Sequence, residues 1–297
     1  MIKVILIGTG SVFGLVQYND GGTHNINYIM NDDVWVDYLS PSMQTTVNIF
    51  SGGTILDPYR LQGFYDSEIN ISGGRVDSLL AFNRSQLTIS DNGWVNGCSA
   101  RNEGQIKMYG GTVRYLNSED SGKIIMTGGQ VQYLNVNESS QLTIDSGLVE
   151  NRLTIYDNSR AAISGGSIHE MSIYGTSQAT MSSGLVDLSF FITNNSLVEW
   201  SGGTIRQDLG IDMEATLKIY GSNFAIDGIP VDFGEITSIL GHTYSSDPFR
   251  RLTGTLINGD IINTQFRIGE NAKIVLTPEP SSILLFGLGS LFLRRKR

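Results

Sequence analysis

Between residues 45 and 222 the chain alternates short apolar clusters with small and polar residues at a nearly fixed step. The clusters read "INISGGRV", "IKMYGGTV", "IIMTGGQV", "LTIDSGLV", "AAISGGSI", "ATMSSGLV" and "VEWSGGTI". The second residue of each Gly-Gly or Ser-Gly pair, and once of an Asn-Gly pair, falls at Gly53, Gly74, Gly93, Gly111, Gly129, Gly147, Gly166, Gly184 and Gly203, at steps of 18 to 21 residues. A constant step of this length over nine units predicts a solenoid, in which each unit buries its apolar face only by stacking on the next.

Each column of the repeat has one chemical character. Leu87, Ile106, Ile124, Leu142, Ala161, Ala179, Val198 and Leu217 fill one apolar column. Two residues on stand Ile89, Met108, Met126, Ile144, Ile163, Met181, Trp200 and Ile219. A spacing of two places both columns on one face of a strand. After the glycines follow Val76, Val95, Val113, Val131, Val149, Ile168, Val186 and Ile205, and farther on the pairs Leu134/Val136, Leu153/Ile155, Met171/Ile173 and Leu209/Ile211. Each unit therefore offers about three short inward-facing strands. Small residues (Ser67, Ser85, Gly104, Gly122, Ser140, Ser159, Ser177, Ser196, Ala215) stand two positions before the first apolar column, where the pattern predicts tight corners that use glycine's freedom at positive φ. No i, i+3, i+4, i+7 stripe survives the Gly-Gly interruptions, which excludes a helical repeat. The fold class is all-β: a single-stranded parallel β-helix of about 18–19 residues per coil, expected to be right-handed. Nine or ten coils at about 4.8 Å each give a rod of roughly 45 Å.

The flanks differ. Residues 20–44 read as an N-terminal cap, 45–222 as the repeats, and 223–276 as a small C-terminal β module with Asn258-Gly259 as a hairpin turn. Residues 1–19 read as a signal peptide, with Lys3 before an apolar run from Val4 to Val16. Gly8, Gly10 and Gly14 come close to a dinucleotide-binding fingerprint, but Phe13 holds the third glycine's place and no helical pattern follows.

Composition agrees: 35 Gly, 6 Pro and only 16% charged residues suit a turn-rich β protein. The net charge is −9, and without the four C-terminal basic residues the remaining 16 basic and 29 acidic residues leave −13. Such a body argues against nucleic acid as a partner, because phosphate contacts need a basic surface. The single cysteine, Cys98, excludes an internal disulfide framework.

Parallel β-helices often host polysaccharide lyases and glycosidases, whose chemistry needs carboxylates or a carboxylate with a basic partner on one outer face. The column after the Val/Ile column reads Asp77, Asn96, Arg114, Gln132, Glu150, His169, Asp187 and Arg206. Glu150, His169 and Asp187 are its best candidate catalytic cluster, and an ordinary solvated β face explains the same residues. His24 and His242 stand alone, no metal-binding or nucleophile motif occurs, and no cofactor or metal is expected. Trp200 falls in an inward column. Tyr109, Tyr115, Tyr133, Tyr156, Tyr174 and Tyr220 are placed for surface contact with carbohydrate.

The tail reads "PEPSSILLFGLGSLFLRRKR". It joins Pro278, Glu279 and Pro280 to an 11-residue apolar run, Ile283–Leu293, and to Arg294, Arg295, Lys296 and Arg297. As a helix the run would span about 16 Å, half of a bilayer core. The basic residues satisfy positive-inside orientation. These three parts, in this order over residues 277–297, resemble the PEP-CTERM sorting signal of Gram-negative bacteria that make extracellular polysaccharide. The resemblance implies export, a C-terminal transmembrane sorting helix that holds the protein in the inner membrane during transit, and recognition of Pro278, Glu279 and Pro280 by an exosortase. The repeat region is also similar to the Gly-Gly-punctuated β-helices that carry such tails, a likeness that transfers no catalytic residue. The expected function is a non-enzymatic structural or adhesive β-helix at the cell surface or in the extracellular matrix, in contact with exopolysaccharide or neighbouring cell-surface proteins. The alternative is a β-helix polysaccharide lyase or glycoside hydrolase.

Overall fold

A computed structural model gives the fold and describes residues 2–8, 11–39, 43–237 and 249–278. All regular elements among them are strands, and they wind as a parallel β-solenoid of about 11 turns. The chain divides into two compact units, Met1–His169 and Glu170–Arg297.

In the first unit the repeat step becomes strand register. Glu68–Ser72 pairs in parallel with Gln86–Ser90, placing Ile69 beside Leu87 and Ile71 beside Ile89. Gln86–Ser90 pairs in turn with Gln105–Met108, and that strand with Lys123–Val136. The second face runs through Arg75–Phe82, Trp94–Arg101 and Thr112–Ser118 to the later half of Lys123–Val136. Five inward rows result, for example Ile124, Met126, Val131, Leu134 and Val136, all fully buried. Each such side chain contributes about 1.5–3 kcal/mol of burial before its entropy loss is subtracted. Cys98 and Ser118 occupy inward positions in two of these rows.

Three details depart from the sequence pattern. First, from Lys123 onward the strands do not break at the glycine pair: Lys123–Val136, Gln141–Ile155, Arg160–Ile173 and Gln178–Ile192 run through it. Gly129 and Gly147 take up the bend at φ of 82° and 103°, and register shifts mark the bend between neighbouring strands.

Second, the small corner column does not hold the positive-φ residues. Those stand two positions earlier, at Tyr65, Asn83, Asn102, Asp120, Glu138, Asp157, Gly175, Asn194 and Met213. The small residues are instead buried against the coil below. A Cβ on Gly104 would lie 2.4 Å from the Ala81 carbonyl oxygen, so size selects this column. The hydroxyl is secondary: Gly104, Gly122 and Ala215 lack one, although Ser196 donates to the Thr193 carbonyl at 2.7 Å.

Third, winding extends beyond the Gly-paired repeats on the N-terminal side. Thr23–Ile26, Ile29–Met30 and Asp33–Val36 pair in parallel with Thr46–Phe50, Thr54–Ile55 and Leu61–Gly63. Asn27 and Tyr28 stand where later coils have their small pair. Ile2–Gly8 and Ser11–Tyr18 form an antiparallel pair, and no helix follows it among the described residues, which removes the dinucleotide-fold reading. Residues Leu15–Tyr18 lie parallel to Asp33–Val36, with Val16 and Tyr18 buried.

In the second unit Gln178–Ile192, Leu197–Ile205 and Thr216–Ile226 pair as parallel ladders over a core that includes Trp200 and Phe190. Trp200 faces inward as its column requires and is fully buried. The rhythm is then interrupted and resumes. Arg250–Leu256 and Ile261–Ile268 form an antiparallel hairpin. Ile261–Ile268 also pairs in parallel with Asp208–Ile211, and Lys273–Thr277 with Thr216–Ile226. The hairpin turn contains Asn258 and Gly259, the latter at φ 91°. It docks on the solenoid through Asp260, whose carboxylate accepts from the Gly203 amide at 2.6 Å.

Candidate functional site

The pleat that sends the apolar rows inward presents polar rows outward, one residue per coil. Asn48 donates to Asn25 at 2.9 Å and Asn70 to Asn48 at 3.0 Å, and Asn135 donates to Asn117 at 2.9 Å. Amides stacked this way use donor and acceptor in the same direction along the ladder. At one corner the left-handed turn residues form an acidic ladder. The Asp120 amide donates to the Glu138 carboxylate at 2.8 Å, and the Glu138 amide to Asp157 at 3.2 Å. A turn amide that no strand partner serves is thus satisfied by the carboxylate one coil on. The sequence held a usable signal for this ladder: Asp120, Glu138 and Asp157 each stand two residues before the small column.

The predicted surface tyrosines fall into two groups. Tyr109, Tyr115, Tyr133 and Tyr156 are exposed, whereas Tyr174 and Tyr220 are half-buried. The Tyr220 hydroxyl lies 3.2 Å from the Glu199 carboxylate, and burial together with that charge pushes its pKa up. Tyr115 and Tyr133 are register partners and stack at 5.5 Å with 12° between their planes. The Arg114 guanidinium lies 5.0 Å from the Tyr115 ring centre, within cation–π range. At the corner beside Tyr65 an open groove of about 440 Å³ is lined by Tyr65, Asn83, Arg84, Asn102, Glu103 and Ser121. Arg84 is held there by both oxygens of Asp66, at 2.8 and 2.9 Å.

The candidate catalytic residues are placed as follows. Glu150 lies half-buried in Gln141–Ile155 and His169 half-buried in Arg160–Ile173, both in the first unit. Asp187 lies in the second unit, in Gln178–Ile192, where the Arg206 guanidinium binds it at 2.7 Å. Among the described residues no group of three His, Cys, Asp or Glu is arranged to hold a metal ion. Burial pushes the Cys98 thiol well above its usual range, which makes it a core residue and a poor nucleophile.

The tail leaves the fold from a fixed point. Lys273–Thr277 is paired on both sides, parallel to Thr216–Ile226 and antiparallel to Gly234–Thr237, and buries Ile274 and Leu276. Pro278 follows directly and is half-buried. Glu279, Pro280 and the basic Arg294, Arg295, Lys296 and Arg297 lie outside the described residues, as does the expected sorting helix. Among the described residues no helix is long and apolar enough to cross a membrane.

Residues 276–297 match the family model of the PEP-CTERM protein-sorting motif. The chain carries a PEP-CTERM sorting signal. The match begins at Leu276, inside the last strand, so the PEP-CTERM segment and the solenoid share two residues of backbone. A PEP-CTERM motif implies export with membrane-transit sorting in Gram-negative bacteria and an exosortase as processing partner. No curated protein and no solved structure matches the chain.

Proposed function

We propose that this protein is an exported structural or adhesive β-helix, released from the inner membrane by an exosortase and placed at the cell surface or in the extracellular matrix. The observation that carries the reading is the sorting motif attached directly to the last strand of a solenoid. Its outward residues form regular polar ladders, one residue per coil. Repetition is the mechanism: weak contacts at equal spacing along a stiff array add up to avidity. The Tyr115–Tyr133 stack with Arg114, and the polar groove beside Tyr65, offer the kind of surface that an exopolysaccharide contacts through ring faces and hydroxyls. Neighbouring cell-surface proteins are the other class of partner.

Pro278, Glu279 and Pro280 are the exosortase recognition residues on this reading, and Arg294–Arg297 set the orientation of the apolar run. Residues 1–19 act as the export leader. Because residues 15–18 lie along Asp33–Val36, the N-terminal mass of the exported protein tests the leader directly: a mature chain that still contains Leu15–Tyr18 would overturn it. For the tail, Glu279→Ala is expected to leave the protein in the inner-membrane fraction. Normal release of that variant would remove the sorting assignment.

The competing reading is a carbohydrate-active enzyme using Glu150, His169 and Asp187, and the ion pair of Asp187 with Arg206 occupies one of its three groups. Incubation with neutral and acidic glycans separates the readings: cleavage by the wild type that Glu150→Ala abolishes would favour the enzyme.

A further inference from the structure

The strand that leads into the tail is held on both sides as far as Leu276 and on one side at Thr277, which lies opposite Tyr220. The apolar run starts at Ile283, after only Pro278–Ser282. Six Cα steps reach at most about 20 Å when fully extended. The headgroup layer on one side of a bilayer takes up roughly 6–7 Å of that distance, the difference between the total and hydrocarbon thickness shared over two leaflets. While the apolar run is in the membrane, the surface around Thr277 is therefore confined to the lipid boundary.

The segment 227–237, which pairs with the last strand at this exit, leaves two apolar side chains largely in water. Ile229 is 67% exposed and Phe233 is 53% exposed. Phe233 precedes Gly234, which lies opposite Leu276, so its backbone sits at the level where the tail departs. Its ring meets the buried Phe224 edge-on at 6.1 Å, which fixes its base. Ile229 belongs to the same segment. It sits opposite Ile226 across the Asp227-Gly228 turn, and Pro230 beside it is exposed as well. An exposed Ile and an exposed Phe at the exit of a membrane tether gain by entering the interfacial layer, where apolar area leaves water. Of the two acidic groups nearby, Glu235 is offset by Lys273 at 3.1 Å, and Asp232 stays exposed to water.

We propose that Ile229 and Phe233 form a membrane-contact lip that seats the second unit on the lipid surface while the tail is embedded. The proposal rests on the sorting reading of the tail. Its occupant is the bilayer surface, chosen by the length of chain between Thr277 and Ile283.

The test uses the full chain reconstituted in phosphatidylethanolamine–phosphatidylglycerol vesicles. Phe233→Cys and Ile229→Cys are each labelled with an environment-sensitive fluorophore, with Asn195→Cys as an exposed control in the same unit. The native Cys98 is buried and stays unlabelled. Both test positions are exposed, so the substitutions leave the core intact. Vesicle flotation reports tail insertion separately. The expected result is a blue shift and quenching by lipid-borne quenchers at 233 and 229, and neither at 195. If the protein floats with the vesicles while 233 and 229 behave like 195, the lip is wrong and the sorting reading stands. If it does not float, the sorting reading fails and takes the lip with it.

Discussion

Three glycines of the first unit receive the same substitution, alanine, and the coil geometry assigns each a different result. Gly129 stands at φ 82°, and a Cβ there would lie 2.5 Å from Met108 Cε and 2.6 Å from the Gly110 carbonyl oxygen. The methionine tip can move, but the carbonyl belongs to the neighbouring coil's backbone and cannot move without disturbing the stack. A left-handed backbone costs an L-residue about 1–2 kcal/mol, and overpacking adds about 1–3 kcal/mol. Gly129→Ala therefore loses roughly 2–5 kcal/mol on those two terms. Gly104 has no positive φ, yet its Cβ would approach the Ala81 carbonyl oxygen at 2.4 Å, so Gly104→Ala carries only the overpacking loss of about 1–3 kcal/mol. Gly97 is different: the nearest atom to its Cβ would be the Asp77 carbonyl oxygen at 3.7 Å, an ordinary contact. Gly97→Ala is expected to be neutral or to stabilise by about 0.4–1 kcal/mol through the unfolded chain. Urea denaturation followed by circular dichroism and tryptophan fluorescence gives the order of midpoints, 97 above 104 above 129. A Gly129→Ala variant within about 0.5 kcal/mol of wild type, or a Gly97→Ala variant as damaged as Gly129→Ala, would refute the coil geometry.

Other outcomes follow from named groups. The Arg251 amide and then the Arg250 guanidinium, both at 2.8 Å, hold the Asp227 carboxyl below the usual range. Its stabilising contribution is present above the unfolded-chain value near 4 and is lost as pH falls through the lower folded value. Burial pushes Asp37 the other way, against hydrogen bonds from the Thr45 amide and hydroxyl, so its contribution is lost as pH rises through its folded value. Urea midpoints of Asp227→Asn and Asp37→Asn across pH 2.5–8 are expected to lose these two opposite slopes, and slopes of one sign would contradict the assignment. Cys98 is expected to resist thiol reagents in the folded protein and to react only as the first unit unfolds, as read by thiol titration along a urea gradient.

The core was legible because two periods coincide. The pleat fixes alternation at two, and the coil fixes recurrence at 18 or 19, so Ile106 and Ile124, or Met108 and Met126, declare themselves as neighbours before any coordinates. The tail was legible because its three parts are chemically distinct and contiguous. Other features depend on quantities that residue type does not carry. Positive φ belongs to Glu138 and Asp157 rather than to the small Ser140 and Ser159, because the turn precedes the buried corner. The coil at residues 23–36 lacks a small pair, and Asn27-Tyr28 makes its bend without one. The return of parallel pairing at Ile261–Ile268 is hidden by the 34 residues that separate Ile226 from Ile261 in the sequence. For the candidate cluster, the shared outward column was readable from the repeat. The engagement of Asp187 by Arg206 was not, because a shared column of outward charge does not say which rotamers meet.

The central claim is that each repeat stacks on the next in parallel register, one step apart, and paired cysteines test it most directly. Thr88 lies opposite Lys107, and Lys107 opposite Ile125, on three successive coils. Neighbouring strands are about 4.8 Å apart, inside the Cα separation of about 4.4–6.8 Å that a disulfide spans, and strands two coils apart are at roughly twice that distance. Mild oxidation of the folded protein is predicted to close the 88–107 and 107–125 pairs and to leave 88–125 open. A disulfide between 88 and 125, or none between 88 and 107, would contradict the stacked coil.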